Sequence, residues 1–223
     1  MDLLGLTNAF LIESGASDVV ASLDEPADDV AQAIHWLDKS WTRFQLQRYW
    51  RFRFAERTIA VTIGKTEYTA ADLGAAQGDV IIRDSFWNTN SGVIEYLSYE
   101  DIRVLRRAAN SADRTKVKHV AMLPTNILHT YPDVTSTQTL SYDYWKGAQT
   151  LSEATDTPYG LPEDYHMLIT HKALSDYGAL IGGQEGQNLY NHHGSEYRIL
   201  YNAYATFSGE DNQIPAIRKS LGV

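Results

Sequence analysis

Seven histidines are the side chains of this chain best suited to metal or proton chemistry, and their spacing decides whether any of them act together. His192 and His193 are adjacent, so on a helix they diverge by about 100° and cannot easily share one ion. His166 and His171 lie five apart, and the H-E-x-x-H spacing that brings two imidazoles and a carboxylate onto one face is absent. His193 falls on an apolar helical stripe, which makes it a core or interface histidine. There is no cysteine, no G-x-S-x-G and no S-x-x-K, so neither a thiol nor an activated serine is available for nucleophilic catalysis. The carboxylate pairs Asp28-Asp29 and Glu163-Asp164 each sit where a helix begins, and the free N–H groups and dipole of a first turn account for them without glycoside chemistry. Gly182 to Gln187 (GGQEGQ) lacks the spacing of a phosphate cradle and lies between two helical segments, so it reads as a helix–helix turn. No cofactor and no metal are expected. Five Trp and 14 Tyr remain as stacking groups. Trp36 and Trp41 face different sides of one helix; with Trp41 in the apolar stripe, Trp36 packs on the strand layer or faces a partner. Trp87 lies in the uncharged segment FWNTNSG, where exposure would make it a contact residue.

These residues must be positioned by elements that the hydrophobic period reveals. Leu3, Leu6 and Phe10, with Gly15 as a stop, predict a helix over 2–14. Pro26, a run of acids, and Val30, Ile34, Leu37, Trp41 and Phe44 at steps of four and three predict a second helix to about Arg48. From Trp50 the period changes to two, with Phe52 and Phe54 between arginines and then Ile59, Val61 and Ile63, so a strand is expected there. Further strands are predicted at 79–83, 93–97, 117–123, 126–131 and 137–146. Ser98 and Asp101 form a capping box for a short helix ending near Asn110. Beyond Pro162 the helical period returns, first to Gly182-Gly183 and then from Leu189 through His193, Tyr197, Leu200 and Tyr204 to Phe207. Helices, then strands, then helices predict an α+β fold: residues 1–48 and 162–207 form a helical bundle carrying a β-rich insertion over 50–150. Residues 1–207 are read as a single domain, and 208–223 as an extended C-terminal tail.

Of the chain's 223 residues, 28 are acidic and 19 basic, a net charge of −9 that opposes sequence-independent binding to nucleic acid. Residues 1–30 hold seven acids, Asp24 and Asp28 among them, and no base. Arg43 to Arg57 is basic, and so is the stretch from Arg103 through Arg106, Arg107, Arg114 and Lys116 to Lys118. Patches of opposite sign are complementary surfaces between copies of one protein or simply a solvated mixed surface. Asp2 stands where a signal peptide wants a positive charge and no run of 18 apolar residues occurs, so neither secretion nor a membrane partner is expected. The lack of cysteine fits a reducing cytoplasm.

The order of several segments resembles a known family. IHWLDKSWTRFQ from Ile34 leads to WRFRF from Trp50. The hairpin VTIGKTEYT from Val61, IRDSFW from Ile82, YLSYEDIR from Tyr96 and ILHTYPD from Ile127 follow, and LPEDYHMLITHKALSDY (161–177) precedes a Tyr-rich final helix. Together they are similar to the head-to-tail adaptor (connector) proteins of tailed bacteriophages. That resemblance implies a structural virion protein and not an enzyme. It would be made in the host cytoplasm and placed at the virion neck, in a ring, commonly of twelve copies, between the portal protein and the tail or nozzle proteins. Genomic DNA would pass through the channel without specific binding. Terminal segments of similar adaptors reach into the portal, which makes Ile214, Pro215, Ile217 and Leu221 the expected portal-binding tail residues. Arg103, Arg106 and Arg107 against Asp24 and Asp28 are the expected inter-subunit contacts. The alternative is a carbohydrate-active or carbohydrate-binding phage protein that uses exposed aromatics and a carboxylate.

Overall fold

The structure is a computed structural model that describes residues 1–15, 19–24, 28–89, 92–108, 114–125 and 127–209. It is an α+β protein of five helices and two sheets among those residues. They group into two compact units, residues 1–52 with 148–209, and residues 53–147.

The first unit is helical: α1 (Leu3–Ser14), α2 (Asp28–Leu46), α4 (Met167–Ile181) and α5 (Gly183–Phe207). The Asp2 carboxylate accepts from the Gly5 N–H to start α1, and Gly15, at φ 68°, ends it in the left-handed conformation that glycine adopts without strain. The α2 stripe behaves as its period demands, with Val30, Leu37, Trp41 and Phe44 buried against Leu168, Ile169 and Leu174 of α4. Trp36 differs from expectation. It is buried in this helical core edge-on to Tyr177, with the Lys39 ammonium 4.3 Å from its ring centre, because the core surrounds more of α2 than a single stripe. After α2, Phe44 and Trp50 stack at 4.6 Å, and the Trp50 indole N–H donates to the Phe44 carbonyl at 2.7 Å. The chain returning at 148–161 is fastened to α2 by polar groups: Asp38 accepts from the Leu151 N–H, and Gln45 and Gln149 exchange hydrogen bonds at 2.9 Å.

The second unit is β-rich. One sheet runs β1 (Phe54–Val61), β9 (Gln138–Trp145), β4 (Trp87–Asn88), β5 (Gly92–Val93), with β3 (Val80–Ile81) also pairing β9. The other runs β2 (Glu67–Tyr68), β8 (Leu128–Tyr131), β7 (His119–Met122), β6 (Glu95–Tyr96), antiparallel except for β6 with β7. Ile59, Leu140 and Tyr142 of the first sheet share a core with Tyr68, Val120 and Leu128 of the second. On the other face of the second sheet lies α3 (Tyr99–Ala108), started by the expected box in which Ser98 accepts from the Asp101 N–H and donates to its carboxylate.

Further expectations change. Arg51–Arg53 is one turn of 3-10 helix and the strand begins at Phe54, since the bulky aromatics at 50 and 52 belong to the stacked cluster of α2. Val61 to Thr69 is not a hairpin: β1 pairs along its whole length with β9, whereas β2 pairs with β8 in the other sheet. The turn between α4 and α5 is shorter than Gly182 to Gln187, because α5 starts at Gly183, and before α4 the segment Glu163–Tyr165 is a 3-10 turn. The start of α2 around Pro26 and the end of α3 around Asn110 lie outside the described residues.

Candidate assembly surfaces

The division into units sorts the charge. Residues 53–147 carry 11 acidic and 11 basic side chains, whereas residues 1–52 with 148–209 carry 15 acidic and six basic, so the helical unit holds the chain's surplus of negative charge. The basic residues of the β-rich unit concentrate on and after α3. Its outward face presents Glu100, Arg103, Val104 and Arg107 at helical spacing, with Val104 62% exposed between the two arginines. Arg103 pairs with Glu100 at 3.0 Å on this face, and exposed Arg114 pairs with Asp133. Both are solvent-accessible pairs of little stabilising value, so their cations can be redirected to a partner at small cost.

Arg106 occupies a different position from its neighbours. It is half-buried, and its guanidinium donates over the sheet edge to the Thr66 and Thr130 carbonyls at 3.5 and 3.4 Å. It therefore fastens α3 to the sheet, while Arg103 and Arg107 face outward. Asp24 and Asp28 are both exposed; Asp24 accepts from the Ser22 hydroxyl at 3.3 Å, and Asp28 opens α2, where the helix N-terminus favours a carboxylate. Ile214, Pro215, Ile217 and Leu221 lie outside the described residues.

Trp87 stands on β4 opposite Val93 of β5, and the two are 40% and 50% exposed, an apolar pair on an otherwise polar strand face. Two imidazole clusters escaped the sequence reading. His171 of α4 and His193 of α5 approach Nδ1 to Nδ1 at 3.0 Å with rings nearly parallel, and His192 meets His193 edge-on. Burial holds both His171 and His193 below the ordinary imidazole range, opposed by Glu13 and Glu196. The signal was present, since both residues fall on the inward faces of consecutive helices, but a separation of 22 residues hides the pairing. The second cluster, around His129 under α3, is treated below. Among the described residues no three ligating side chains converge as a metal site, and no helix is long and apolar enough to cross a membrane.

Asp72 shows how the loop before β3 is organised. Its carboxylate takes Lys65 at 2.6 Å and the Thr69 N–H and hydroxyl, and these bonds lower its pKa to about 2. Asp79 does the same inside: its buried carboxylate accepts from the Ala76 and Gly147 N–H groups, both at 2.9 Å, beside Arg57. These carboxylates are occupied by donors that build loops, which is a structural use of charge.

Among curated proteins no relative matches the chain. One family model matches it over residues 1–214, a span that includes the described residues of both compact units. With charge used for loops and surfaces, and with the segment order noted in the sequence, this match shows that the chain belongs to the SU10 adaptor protein family, the phage head-to-tail adaptors.

Proposed function

We propose that this chain is a head-to-tail adaptor that forms a closed ring of twelve identical copies between the portal and the tail proteins, with the genome passing through the centre. The observation that carries the reading is the segregation of charge: a strongly acidic helical unit and a neutral β-rich unit whose bases cluster at α3. A surface of one sign on each copy, facing the other sign on the next, suits a heterologous contact that closes into a ring. In this reading Arg103 and Arg107 on α3 meet the exposed acids of a neighbour, with Asp24 and Asp28 among them, and Arg106 sets the pose of the helix. The acidic surplus lets DNA pass without the phosphate neutralisation that retains it. The chain has no catalytic role in this account, and its place is the virion neck.

The tail supplies the attachment. Gly209, Asn212 and Pro215 disfavour continuation of α5, while Ile214, Ile217 and Leu221 are apolar enough to seat in a portal groove. One tail offers a small contact, and many tails engaged together in a ring bind durably. Deleting residues 209–223 is expected to leave the fold intact and abolish co-sedimentation with portal rings; undiminished binding would remove the tail from the account. Saccharide binding has the exposed Trp87 in its favour. A saccharide-dependent quenching of tryptophan fluorescence that Trp87→Ala abolishes, in a chain that ignores portal rings, would replace the adaptor reading with that one.

A further inference from the structure

The seat of α3 on its sheet is small and chemically unfinished. The helix contributes one fully buried side chain, Ile102, which meets Ala121 of β7 and Tyr131 of β8, with Leu97, Tyr99 and Leu105 around them. Beside this patch lies His129, 2% exposed, whose ring packs against Tyr99 of α3 at 4.7 Å between centres. Neither of its ring nitrogens has a hydrogen-bond partner; Nδ1 is 3.5 Å from Glu67 on β2, and Nε2 faces no acceptor. His119 on β7 is a second such ring, with Nδ1 buried and 3.2 Å from Glu95 of β6 without hydrogen-bond alignment. Every buried imidazole nitrogen without a hydrogen-bond partner among the described residues is therefore on this one face. A buried donor or acceptor without a partner is unfavourable, so this packing is held against a penalty that lifting α3 would relieve.

We propose that α3 is a releasable flap, seated on its sheet while His129 is uncharged and lifted when His129 takes a proton. The charges around the ring give the direction. On the strands, Glu67 favours the imidazolium, Glu95 lies 3.2 Å from His119, and the Tyr131 hydroxyl donates to the Leu105 carbonyl. From the helix, the Arg106 cation faces the ring and opposes a second positive charge, and Arg103 lies over Tyr99, which covers it. Burial is the largest effect and also favours the neutral ring. In the lifted state the ring is in water and titrates near its ordinary value. The sign follows: seating is complete above about pH 6.5 and weakens as pH falls below it, because the lifted form then binds the proton that the seated form refuses. The consequence concerns the surface proposed for the ring contact and rests on that reading. Lifting α3 moves Arg103 and Arg107 and frees Arg106 from the Thr66 and Thr130 carbonyls, so the contact is set or released by the charge on one residue.

The chain has no cysteine, so a single one introduced at Ala121 beneath the helix reports directly on α3. Labelling of Ala121→Cys by a thiol reagent, divided at each pH by the rate for a short cysteine peptide, is expected to rise about tenfold between pH 7.5 and 5.5, with far-ultraviolet circular dichroism unchanged. Adding His129→Gln is expected to remove the rise. Adding Glu67→Gln, which keeps the imidazole and deletes its favourable partner, is expected to enlarge it, and this variant carries the test if the glutamine at 129 does not fold. An unchanged normalised rate across this range, or a rise that survives His129→Gln, overturns the proposal. Because the measurement needs neither portal nor ring, a failure to assemble leaves its outcome intact.

Discussion

At Gly178 and Gly186 the backbones of α4 and α5 touch. A methyl group on Gly186 would stand 2.5 Å from the Gly178 carbonyl oxygen, and one on Gly178 would stand 2.7 Å from that of Gly186. Alanine is favoured over glycine within a helix by about 1 kcal/mol, but the obstruction here is backbone, which cannot rotate away. Gly186→Ala is therefore expected to lower the urea midpoint, by a net loss of about 1–3 kcal/mol. The sequence placed these glycines in or near a turn and gave no sign of the crossing, because close approach is a property of two helices together. The same limit hid the pair formed by His171 and His193. Only one proton fits between two Nδ1 atoms at 3.0 Å, and burial depresses both rings despite Glu13 and Glu196. Groups with folded pKa values below the unfolded value stabilise fully above about pH 6.5 and less as pH falls through the folded values. Urea titrations at pH 7.5 and 5.5 are expected to show that loss, and His193→Gln to make the slope shallower.

Elements with several turns were legible, whereas the two-residue strands were legible only in part: β3 and β6 fall inside the expected strands 79–83 and 93–97, and β4 was not expected. The stripe Val30, Leu37, Trp41, Phe44 is a periodic pattern over four turns, and α2 follows it from Asp28 to Leu46. β2, β3, β4, β5 and β6 are two residues each, too short for any period, and apart from the local pair of β4 with β5 their partners lie far along the chain. That is why Val61 to Thr69 reads as a hairpin although its arms enter different sheets. What pins such strands is polar. Asp79 joins the loop before β3 to Gly147 after β9, so Asp79→Ala leaves two N–H groups without their acceptor and is expected to destabilise by about 2 kcal/mol in urea unfolding. Ser98→Ala, which removes the cap of α3, is expected to cost about 1 kcal/mol.

On the scale of the whole molecule, the ends of the chain fold together: α1 and α2 share one core with α4 and α5, and most of the sequence between them is the β-rich unit. We propose that residues 1–207 fold as one domain on this basis. Removal of residues 1–48 should then abolish cooperative unfolding of what remains, and a native-like 49–207 fragment would contradict it. The balance of charge was legible at once from composition, and its sorting was not, because the boundary between units is set by where the chain crosses from one core to the other. A ring held by opposite charges should loosen as salt rises. Analytical ultracentrifugation of the full chain mixed with portal rings, at low and at high salt, tests the central claim most directly. The account predicts closed adaptor rings bound to portals at low salt, weakened at high salt and lost in Arg103→Glu/Arg107→Glu. A chain that sediments as a monomer beside free portals at low salt, or rings indifferent to both salt and charge reversal, would contradict it.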